Sequence, residues 1–307
     1  MTHSVFIDGA VGTTGLEIVD RLAARPEFSL LVLDEALRKD AGARRDAYHT
    51  ADFAVLCLPD DAAIEAVALA EGSKVRIVDA STAHRVADGW TYGFPEITGR
   101  DRVAAANRVS NPGCYPTGFV ALLAPLIRNG LLPADWPYVC HAVSGYSGGG
   151  KALIRRFEDD RDIAYRDYAL GLGHKHVSEM RAYAGLAHAP VFAPAVVPAH
   201  RGMVVEVPLH LSLMERAAPV DGLRQCLQLF YAGSDVVTLH EDCPDELLLR
   251  GSMAPSDRLD LYVFGSADGS QARLVAVLDN LGKGASGAAV QNLNLMAGLP
   301  ETAGLAL

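Results

Sequence analysis

Cys114 is the side chain best suited to covalent chemistry, because it stands in a polar, turn-rich junction at residues 110–118, SNPGCYPTG. Pro112 and Gly113 predict a turn that ends a strand, and Pro116 suits the first turn of a following helix. Cys114 would then lie at a helix N-terminus, where the helix dipole and free amides stabilise a thiolate, the form that acts as a nucleophile. A buried structural cysteine is the alternative interpretation.

The other four cysteines lie in settings that do not favour a nucleophile. Cys57 and Cys140 are inside apolar strands and Cys226 is on an apolar helix face, which predicts buried structural cysteines. Cys243 is flanked by acidic residues, which disfavour a thiolate. An odd number of cysteines with no CxxC pair fits a reducing compartment better than a disulfide framework or a zinc site.

A histidine-containing segment at residues 173–179, GHKHVSE, offers the base that a cysteine nucleophile needs. His174 and His176 point to the same side if the segment is extended, and His176 shares a face with Glu179 if a helix begins there. Either imidazole could pair with Cys114, with Glu179 holding the ring orientation. A His-His-Glu metal site and two packed or surface histidines are the alternatives, and the absence of HExxH spacing leads us to expect no metal.

A glycine-rich turn, GAVGTTG at residues 9–15, directly follows the first predicted strand and opens the first predicted helix. Glycine allows a tight turn and a close backbone approach, and the helix N-terminus offers free N–H groups to a pyrophosphate. This position predicts dinucleotide binding, against a purely structural turn. The residues concerned are Gly9, Gly12, Thr13, Thr14 and Gly15.

The residues after the second predicted strand bear on the choice between NAD and NADP. Asp34 stands where an acidic residue commonly binds the ribose of NAD. Arg38 and Lys39, with Arg44 and Arg45 further along, could instead receive a 2′-phosphate. A solvated charged loop is the third interpretation.

A second glycine-rich segment, SGYSGGGK at residues 144–151, lacks the spacing of a P-loop, so an ATPase is not expected. It follows a predicted strand at residues 138–143 and could close over a cofactor or substrate. Its composition fits a flexible linker equally well.

Strand and helix patterns alternate in the first third of the chain. Apolar runs at 5–7, 30–33, 54–58 and 75–78 predict buried strands, and helices are expected between them, one of them opened by Pro59. Such alternation predicts a parallel sheet with helices on both faces, and ligands of such sheets bind at the edge where the strands end.

The pattern changes after about residue 113. A helix is expected at 115–129, followed by alternating strands at 203–209 and 259–263 and a hairpin into 273–277. Further helices are predicted around 223–230 and 287–297. The overall prediction is an α/β chain: a Rossmann-like parallel-sheet nucleotide domain plus a mixed, mostly antiparallel α+β domain.

Length and charge set the class of protein. The 307 residues favour two domains, and 27 Lys and Arg against 37 Asp and Glu give a net charge of −10, which argues against nucleic acid as a partner. No apolar run is long enough for a membrane span and no signal peptide is evident, so cytoplasm is expected. A homodimer or homotetramer is expected because closed symmetric assemblies are common among soluble enzymes.

The motif around Cys114 resembles that of the N-acetyl-gamma-glutamyl-phosphate reductase family, in its shorter subtype, which acts in arginine biosynthesis. The resemblance implies an NADP-binding domain at 1–113, completed by a C-terminal helix at 286–307, and a catalytic and oligomerisation domain at 114–285. Similar blocks occur in order along the chain: DASTAHR at 79–85, YGFPE at 92–96, HAVSGYSGGGK at 141–151, GHKH at 173–176 and GASGAAVQNLN at 284–294.

By this resemblance the enzyme uses NADPH and a Cys114 thioester to reduce N-acetyl-L-glutamyl 5-phosphate to the 5-semialdehyde. Asp34 departs from the expectation for NADP, because an acid would repel a 2′-phosphate. Arg85 and Asn111 are candidates for the substrate phosphate, Lys151 for the substrate and Arg201 for its α-carboxylate. The cofactor contacts expected beyond the first turn and Arg38 and Lys39 are Pro59, Ser81, Thr82, Ser147, Gly148 and Asn292.

Three other functions are compatible with parts of this pattern. A related acyl-phosphate semialdehyde dehydrogenase, of the aspartate-semialdehyde type, would use the same chemistry. A thiol hydrolase or acyltransferase would use Cys114 and a histidine without nicotinamide, and the glycine turn at 9–15 disfavours it. A nucleotide-binding regulator without catalysis is disfavoured by Cys114 and the histidine segment.

Overall fold

The computed structural model describes residues 2–307, and these residues form two compact units. The first unit contains the chain up to Gly113 together with Ala285–Leu305. The second unit contains Cys114–Gly284 together with Ala306–Leu307. The chain therefore enters the second unit at Cys114 itself.

A fully parallel sheet forms the centre of the first unit. Its strands are β1 (His3–Asp8), β2 (Phe28–Leu31), β3 (Phe53–Leu56), β4 (Arg76–Asp79), β5 (Thr91–Tyr92) and β6 (Arg108–Ser110). They lie in the order β2-β1-β3-β4-β6-β5, and every neighbouring pair is parallel. All four residues of β3 are buried, as expected for a strand covered by helices on both faces.

Helices cover both faces of this sheet. They are α1 (Thr13–Ala23), α2 (Ala41–Thr50), α3 (Asp60–Leu69), α4 (Pro95–Thr98), α5 (Arg100–Ala105) and a C-terminal helix (Gly287–Met296). Val5 and Ile7 of β1 pack in one apolar cluster with Ile18 of α1 and with the C-terminal helix. Phe6 points to the opposite face and packs in a second cluster with Tyr48 of α2.

The second unit is built on a seven-stranded mixed sheet. Its strands are β7 (Val139–Gly145), β8 (Arg166–Asp167), β9 (Val191–Val197), β10 (Met203–Leu209), β11 (Val237–Leu239), β12 (Leu259–Gly265) and β13 (Ala272–Leu278). They lie in the order β11-β12-β13-β10-β7-β9-β8. The β11–β12 and β7–β9 pairs are parallel, and the other neighbouring pairs are antiparallel.

One face of the mixed sheet is covered by helices. The helices of this unit are α6 (Cys114–Arg128), α7 (Gly150–Asp159), α8 (Val177–Ala184) and α9 (Val220–Phe230). Helix α6 packs closely on the sheet, since a β-carbon at Gly118 would lie 2.9 Å from the side chain of Val205. Residues Met203 and Val205 of β10 are buried, whereas Glu206 is half-buried, so the expected alternation along this strand is confirmed.

The expected fold class is confirmed, although some elements differ from the prediction and others were not predicted. The strand expected at 30–33 lies at Phe28–Leu31, because its pairing with β1 ends at Leu31. The C-terminal helix does not extend to residue 307; it ends at Met296, followed by Gly298 in a left-handed conformation (φ 71°). Helix α2 was not predicted, although Asp40 caps it by accepting a hydrogen bond from the N–H of Ala43 at 2.7 Å.

Among residues 2–307, no helix combines the length and the apolar character that crossing a membrane requires.

Candidate active site

Cys114 is the first residue of helix α6 and is half-buried. A β-carbon at Gly284 would lie 2.9 Å from Cβ of Cys114, so only glycine lets this backbone come so close to the cysteine. The N–H of Gly284 donates to the carbonyl oxygen of Asp279 at 3.0 Å, which fixes the turn. The chain at 282–286 forms one π-helical turn, a conformation often found at functional sites.

The two predicted histidines lie together in the second unit. Their ring centroids are 4.7 Å apart, and the backbone N–H of His176 donates to Nδ1 of His174 at 3.1 Å. His176 is buried and immediately precedes helix α8, whereas His174 is half-buried. Glu179 is fully buried in the first turn of α8. Burial of Tyr183 is the main cause that raises the pKa of this tyrosine to about 12, and the charge of Glu179 is the second cause.

Two tyrosines connect these histidines to the region of Cys114. Oη of Tyr168 is 3.4 Å from Nε2 of His174 and donates to Oη of Tyr115 at 3.3 Å. Oη of Tyr115 in turn donates to the carbonyl oxygen of Ala195 at 3.2 Å. Burial raises the pKa of Tyr168 to about 12; the hydrogen bond with Tyr115 lowers this pKa, and the charge of Cys114 raises it. The charge of Cys114 therefore acts on Tyr168, and the hydroxyl of Tyr168 in turn contacts His174.

Arg201, expected to bind the substrate carboxylate, forms an ion pair with Asp279. Its Nη1 is 2.8 Å from Oδ2 of Asp279, a carboxylate that is fully buried. Asp279 also accepts hydrogen bonds from the backbone N–H groups of Ser256 and Leu281. The carboxylate thus holds the guanidinium of Arg201 and the turn that carries Gly284 at the same time.

Several hydrogen bonds anchor the glycine-rich segment at 144–151, among them those from the N–H groups of Tyr146 and Ser147 to the carbonyl oxygens of Ala199 and His200. Oγ of Ser147 is buried and accepts a hydrogen bond from Nδ2 of Asn280 at 2.9 Å. Gly148 is exposed, and Lys151 is an exposed residue in the first turn of α7.

In the first unit the glycine turn at 9–15 requires glycine at two positions. Gly9 has φ 88°, and a β-carbon there would lie 2.3 Å from the carbonyl oxygen of Cys57. A β-carbon at Gly15 would lie 2.4 Å from the carbonyl oxygen of Gly9. Gly12 immediately precedes α1, so the first amides of α1, from Thr13 onward, have no partner within the helix.

Buried polar atoms in the first unit fit a nucleotide cofactor. Within residues 2–307, Oγ1 of Thr13 and Oγ1 of Thr82 are buried without a hydrogen-bond partner. A buried hydroxyl without a partner is costly unless a ligand satisfies it. Ser81, by contrast, is bonded to the carboxylate of Asp79, and Pro59 precedes the first residue of α3. Thr13 and Thr82 therefore support cofactor binding more directly than Ser81 does.

Asn292 of the C-terminal helix is completely buried. Its Nδ2 donates to the carbonyl oxygen of Gly93 at 2.8 Å and to Oδ1 of Asn111 at 3.1 Å. Its Oδ1 is buried with no hydrogen-bond partner in the described part of the chain. The amide of Asn292 therefore organises this region and leaves one acceptor that an amide-bearing ligand such as nicotinamide could use.

The residues proposed for the substrate phosphate also bind main-chain groups. Nε of Arg85 donates to the carbonyl oxygen of Asn111 at 3.0 Å, and its Nη2 donates to that of Ala80 at 3.2 Å. Nδ2 of Asn111 donates to the carbonyl oxygen of Ala285 at 2.9 Å. These bonds fix the strand end that leads to Cys114.

The candidate residues for a 2′-phosphate differ in their availability. Arg38 forms a 2.8 Å ion pair with the exposed Glu35, and Lys39 and Asp34 are exposed. Arg44 was also considered for this role, but it is buried, with Nε 3.0 Å from the buried carboxylate of Asp8. Its guanidinium balances that buried charge, so the expectation for Arg44 is wrong.

Sequence reasoning did not single out Tyr115, Tyr168 or Asp279. Tyr115 lies beside Cys114 in the motif, which was the available signal, whereas Tyr168 and Asp279 carry no local signal. Among residues 2–307, no group of three or more His, Cys, Asp or Glu side chains is arranged to hold a metal ion.

Comparison with known proteins defines the class of both units. Residues 4–106 match the semialdehyde dehydrogenase NAD binding domain, and residues 114–280 match the semialdehyde dehydrogenase dimerisation domain. Aspartate semialdehyde dehydrogenase II from Vibrio cholerae has the same fold, with a TM-score of 0.71 at 17% identity over 96% of this chain and 98% of that one. An aspartate semialdehyde dehydrogenase with NADP from Candida albicans gives a TM-score of 0.67 at 15% identity, covering 96% and 98%. The chain has the semialdehyde dehydrogenase fold.

Full-length relatives specify the family further. The chain is 47% identical to N-acetyl-gamma-glutamyl-phosphate reductase 2 of Nostoc sp., over 98% of each chain. It is 47% identical to N-acetyl-gamma-glutamyl-phosphate reductase 2 of Pseudomonas putida, over 99% of each chain. It is 48% identical to the N-acetyl-gamma-glutamyl-phosphate reductase of Brucella suis, over 97% of this chain and all of that one. The chain belongs to the N-acetyl-gamma-glutamyl-phosphate reductase family.

Proposed function

We propose that this protein catalyses the NADPH-dependent reduction of N-acetyl-L-glutamyl 5-phosphate to N-acetyl-L-glutamate 5-semialdehyde and phosphate, a step of arginine biosynthesis. The observation that carries the proposal is Cys114 at the start of α6, in the same environment as Tyr168 and His174. Relatives named for this activity match the chain over nearly its whole length.

In the proposed mechanism the thiolate of Cys114 attacks the acyl carbon, the carbon–oxygen bond to phosphate breaks, and a thioester forms. Amides at the start of α6 stabilise the negative charge that develops on the carbonyl oxygen. NADPH, when bound, supplies the hydride that reduces the thioester. Collapse of the resulting thiohemiacetal releases the aldehyde and the Cys114 sulfur, with His174 or His176 managing the proton on the departing group and Glu179 supporting α8.

We assign substrate binding to two groups of residues. Arg85 and Asn111 are proposed for the phosphate, and their bonds to main-chain carbonyl groups would orient them. Arg201, oriented by Asp279, is proposed for the α-carboxylate, because a guanidinium binds a carboxylate through two parallel hydrogen bonds. Lys151 is proposed as a further contact to the substrate.

We assign NADP rather than NAD as the cofactor. The glycine turn with Thr13 and Thr14, together with Pro59, Ser81, Thr82 and Asn292, would hold the dinucleotide. Ser147 and Gly148 are proposed as further contacts to the cofactor. Arg38 and Lys39 would receive the 2′-phosphate. The ion pair between Arg38 and the exposed Glu35 is a weak surface interaction, so Arg38 can exchange it for a phosphate.

We further propose that the first unit, with the C-terminal helix, is the NADP-binding domain and the second is the catalytic and oligomerisation domain. We also propose a homodimer or homotetramer, located in the cytoplasm. The match of residues 114–280 to a dimerisation domain supports it.

The test is Cys114→Ser, assayed with N-acetylglutamate 5-semialdehyde, phosphate and NADP, and in parallel with aspartate semialdehyde. We expect Cys114→Ser to lose about four orders of magnitude in kcat, since removing a nucleophile costs at least that much, while NADPH binding is retained. Cys226→Ser, at a half-buried helix position, is the matched control and should remain active. Turnover by Cys114→Ser at the wild-type rate, or preference for aspartate semialdehyde, would overturn the proposal.

A further inference from the structure

The hydrogen bonds around His174 indicate which ring nitrogen carries the proton. The backbone N–H of His176 donates to Nδ1 of His174 at 3.1 Å. Because an amide N–H can only donate, Nδ1 must be the unprotonated nitrogen, and a neutral ring then carries its proton on Nε2. His176 immediately precedes α8, so the positive end of the helix further disfavours a proton on Nδ1.

The contacts on the other side of the ring fit the same assignment. Oη of Tyr115 donates a hydrogen bond to the carbonyl oxygen of Ala195, and Oη of Tyr168 donates one to Oη of Tyr115. Both hydroxyl protons therefore point away from His174. Oη of Tyr168, 3.4 Å from Nε2 of His174, can accept the proton that the amide of His176 places on Nε2.

We propose that His174 acts as a neutral hydrogen-bond donor, through Nε2–H, to the substrate oxygen that becomes negatively charged during the reaction at Cys114, and not as the group that exchanges a proton. The inference rests on the thioester route proposed above. The sulfur of Cys114 bonds to the acyl carbon, the electron pair of the carbonyl shifts to oxygen, and phosphate leaves as that pair returns. His174 keeps its proton throughout.

The geometry suits this role. At 3.4 Å the bond to Tyr168 is longer than the usual 2.7–3.2 Å range of N–H···O bonds, so an anionic oxygen can replace it with a shorter, charge-assisted bond. Conversion of His174 to imidazolium would need a proton on Nδ1 and would break the bond from the N–H of His176. Proton exchange with the substrate then falls to His176, whose ring centroid lies 4.7 Å from that of His174.

The kinetic test compares glutamine and alanine at both histidines. In His174→Gln the side-chain amide places a donor near the position of Nε2 but cannot exchange a proton at neutral pH. We expect His174→Ala to lose about a hundredfold to a thousandfold in kcat, the usual loss of an oxyanion donor, and His174→Gln to recover at least tenfold of it. At His176 glutamine should be no better than alanine. Equal losses for glutamine and alanine at position 174 would overturn the proposal.

A spectroscopic test needs neither substrate nor activity, so it stands apart from the proposed function. In protein labelled with ¹⁵N-histidine, we expect His174 to show a protonated Nε2 and an unprotonated Nδ1 at neutral pH. The resonance is assigned by its loss in His174→Gln. A proton on Nδ1, or an imidazolium at neutral pH, would overturn the inference even if the reductase activity is present. If the activity is absent while the Nε2–H form is observed, the proposed function fails and the tautomer assignment stands.

Discussion

The two units build their functional regions from different parts of the polypeptide. In the first unit the turn at 9–15 is shaped by main chain, since a β-carbon fits at neither Gly9 nor Gly15. In the second unit the surroundings of Cys114 are made by side chains, with Tyr115, Tyr168 and His174 linked by hydrogen bonds. A main-chain site is therefore encoded within one short segment, whereas a side-chain site depends on contacts between distant segments.

The largest effect is expected from filling the main-chain turn. Gly15→Ala places a β-carbon 2.4 Å from the carbonyl oxygen of Gly9, so the turn must open. We expect the Kd for NADPH to rise about a thousandfold, equivalent to about 4 kcal/mol, measured by fluorescence titration. Thermal unfolding should also shift to lower temperature.

Gly12→Ala is the matched control, because its β-carbon would lie 3.4 Å from the nearest atom, again the carbonyl oxygen of Gly9. This variant should unfold at the wild-type temperature, and any loss of NADPH affinity then reports the cofactor's own approach to the turn. Wild-type affinity in Gly15→Ala would contradict the view that the turn is a main-chain site.

A substitution at Asp279 tests the side-chain site and is expected to have the second-largest effect. Asp279→Asn removes the charge paired with Arg201, and breaking a buried ion pair on one side costs about 3 kcal/mol. We expect lower stability by denaturant unfolding and a KM for the semialdehyde that rises more than kcat falls, because Arg201 loses its orientation. Asp268→Asn, in an exposed hairpin loop, is the control. An unchanged KM in Asp279→Asn would show that Arg201 does not bind substrate through this arrangement.

The same contrast explains how far the sequence alone could be interpreted. The parallel sheet was predicted from apolar runs such as 54–58, and the strand found there, Phe53–Leu56, is buried along its whole length. The alternation predicted at 203–209 matches the alternating burial along β10. These predictions are confirmed because periodicity records burial directly. The end of β2 was predicted wrongly, because its pairing with β1 stops at Leu31 although β1 continues to Asp8, and no local pattern records where a pairing stops.

In the candidate site, too, some residues could be identified from sequence, whereas others depend on contacts between distant segments. Cys114 and the histidine segment were recognisable from residue type and from resemblance, and their roles remain predictions. Tyr168 was missed, because its hydroxyl meets Tyr115 only after β8 pairs with β9. Arg44 was misjudged for the same reason: its partner, Asp8, is 36 residues away in sequence.

A smaller effect is expected at the edge of the first unit, where specificity for the 2′-phosphate would depend on exposed side chains. Arg38→Ala should lower the preference for NADP over NAD about tenfold, since one charge-assisted contact contributes about 1.5–3 kcal/mol when made and less when exposed. The ratio of kcat/KM for the two cofactors measures it. Arg45→Ala, on the exposed side of α2, is the control. Equal effects of the two substitutions would mean that general positive charge, not Arg38, selects the cofactor.

The smallest effect is expected from alanine at two glycines in the left-handed conformation, one in each unit, and the loss of stability should be the same in both units. Gly185 ends α8 with φ 75°, and Gly72 follows α3 with φ 81°; a β-carbon has space at both positions. Alanine in this left-handed conformation costs about 1 kcal/mol, so Gly185→Ala and Gly72→Ala should each lower the unfolding temperature by roughly 2–4 °C. Because the strain lies in one backbone dihedral angle, kcat should not change in either variant. A loss of activity in Gly185→Ala alone would mean that the C-terminal end of α8 is coupled to His176 at its beginning, and that the side-chain site extends along the whole helix.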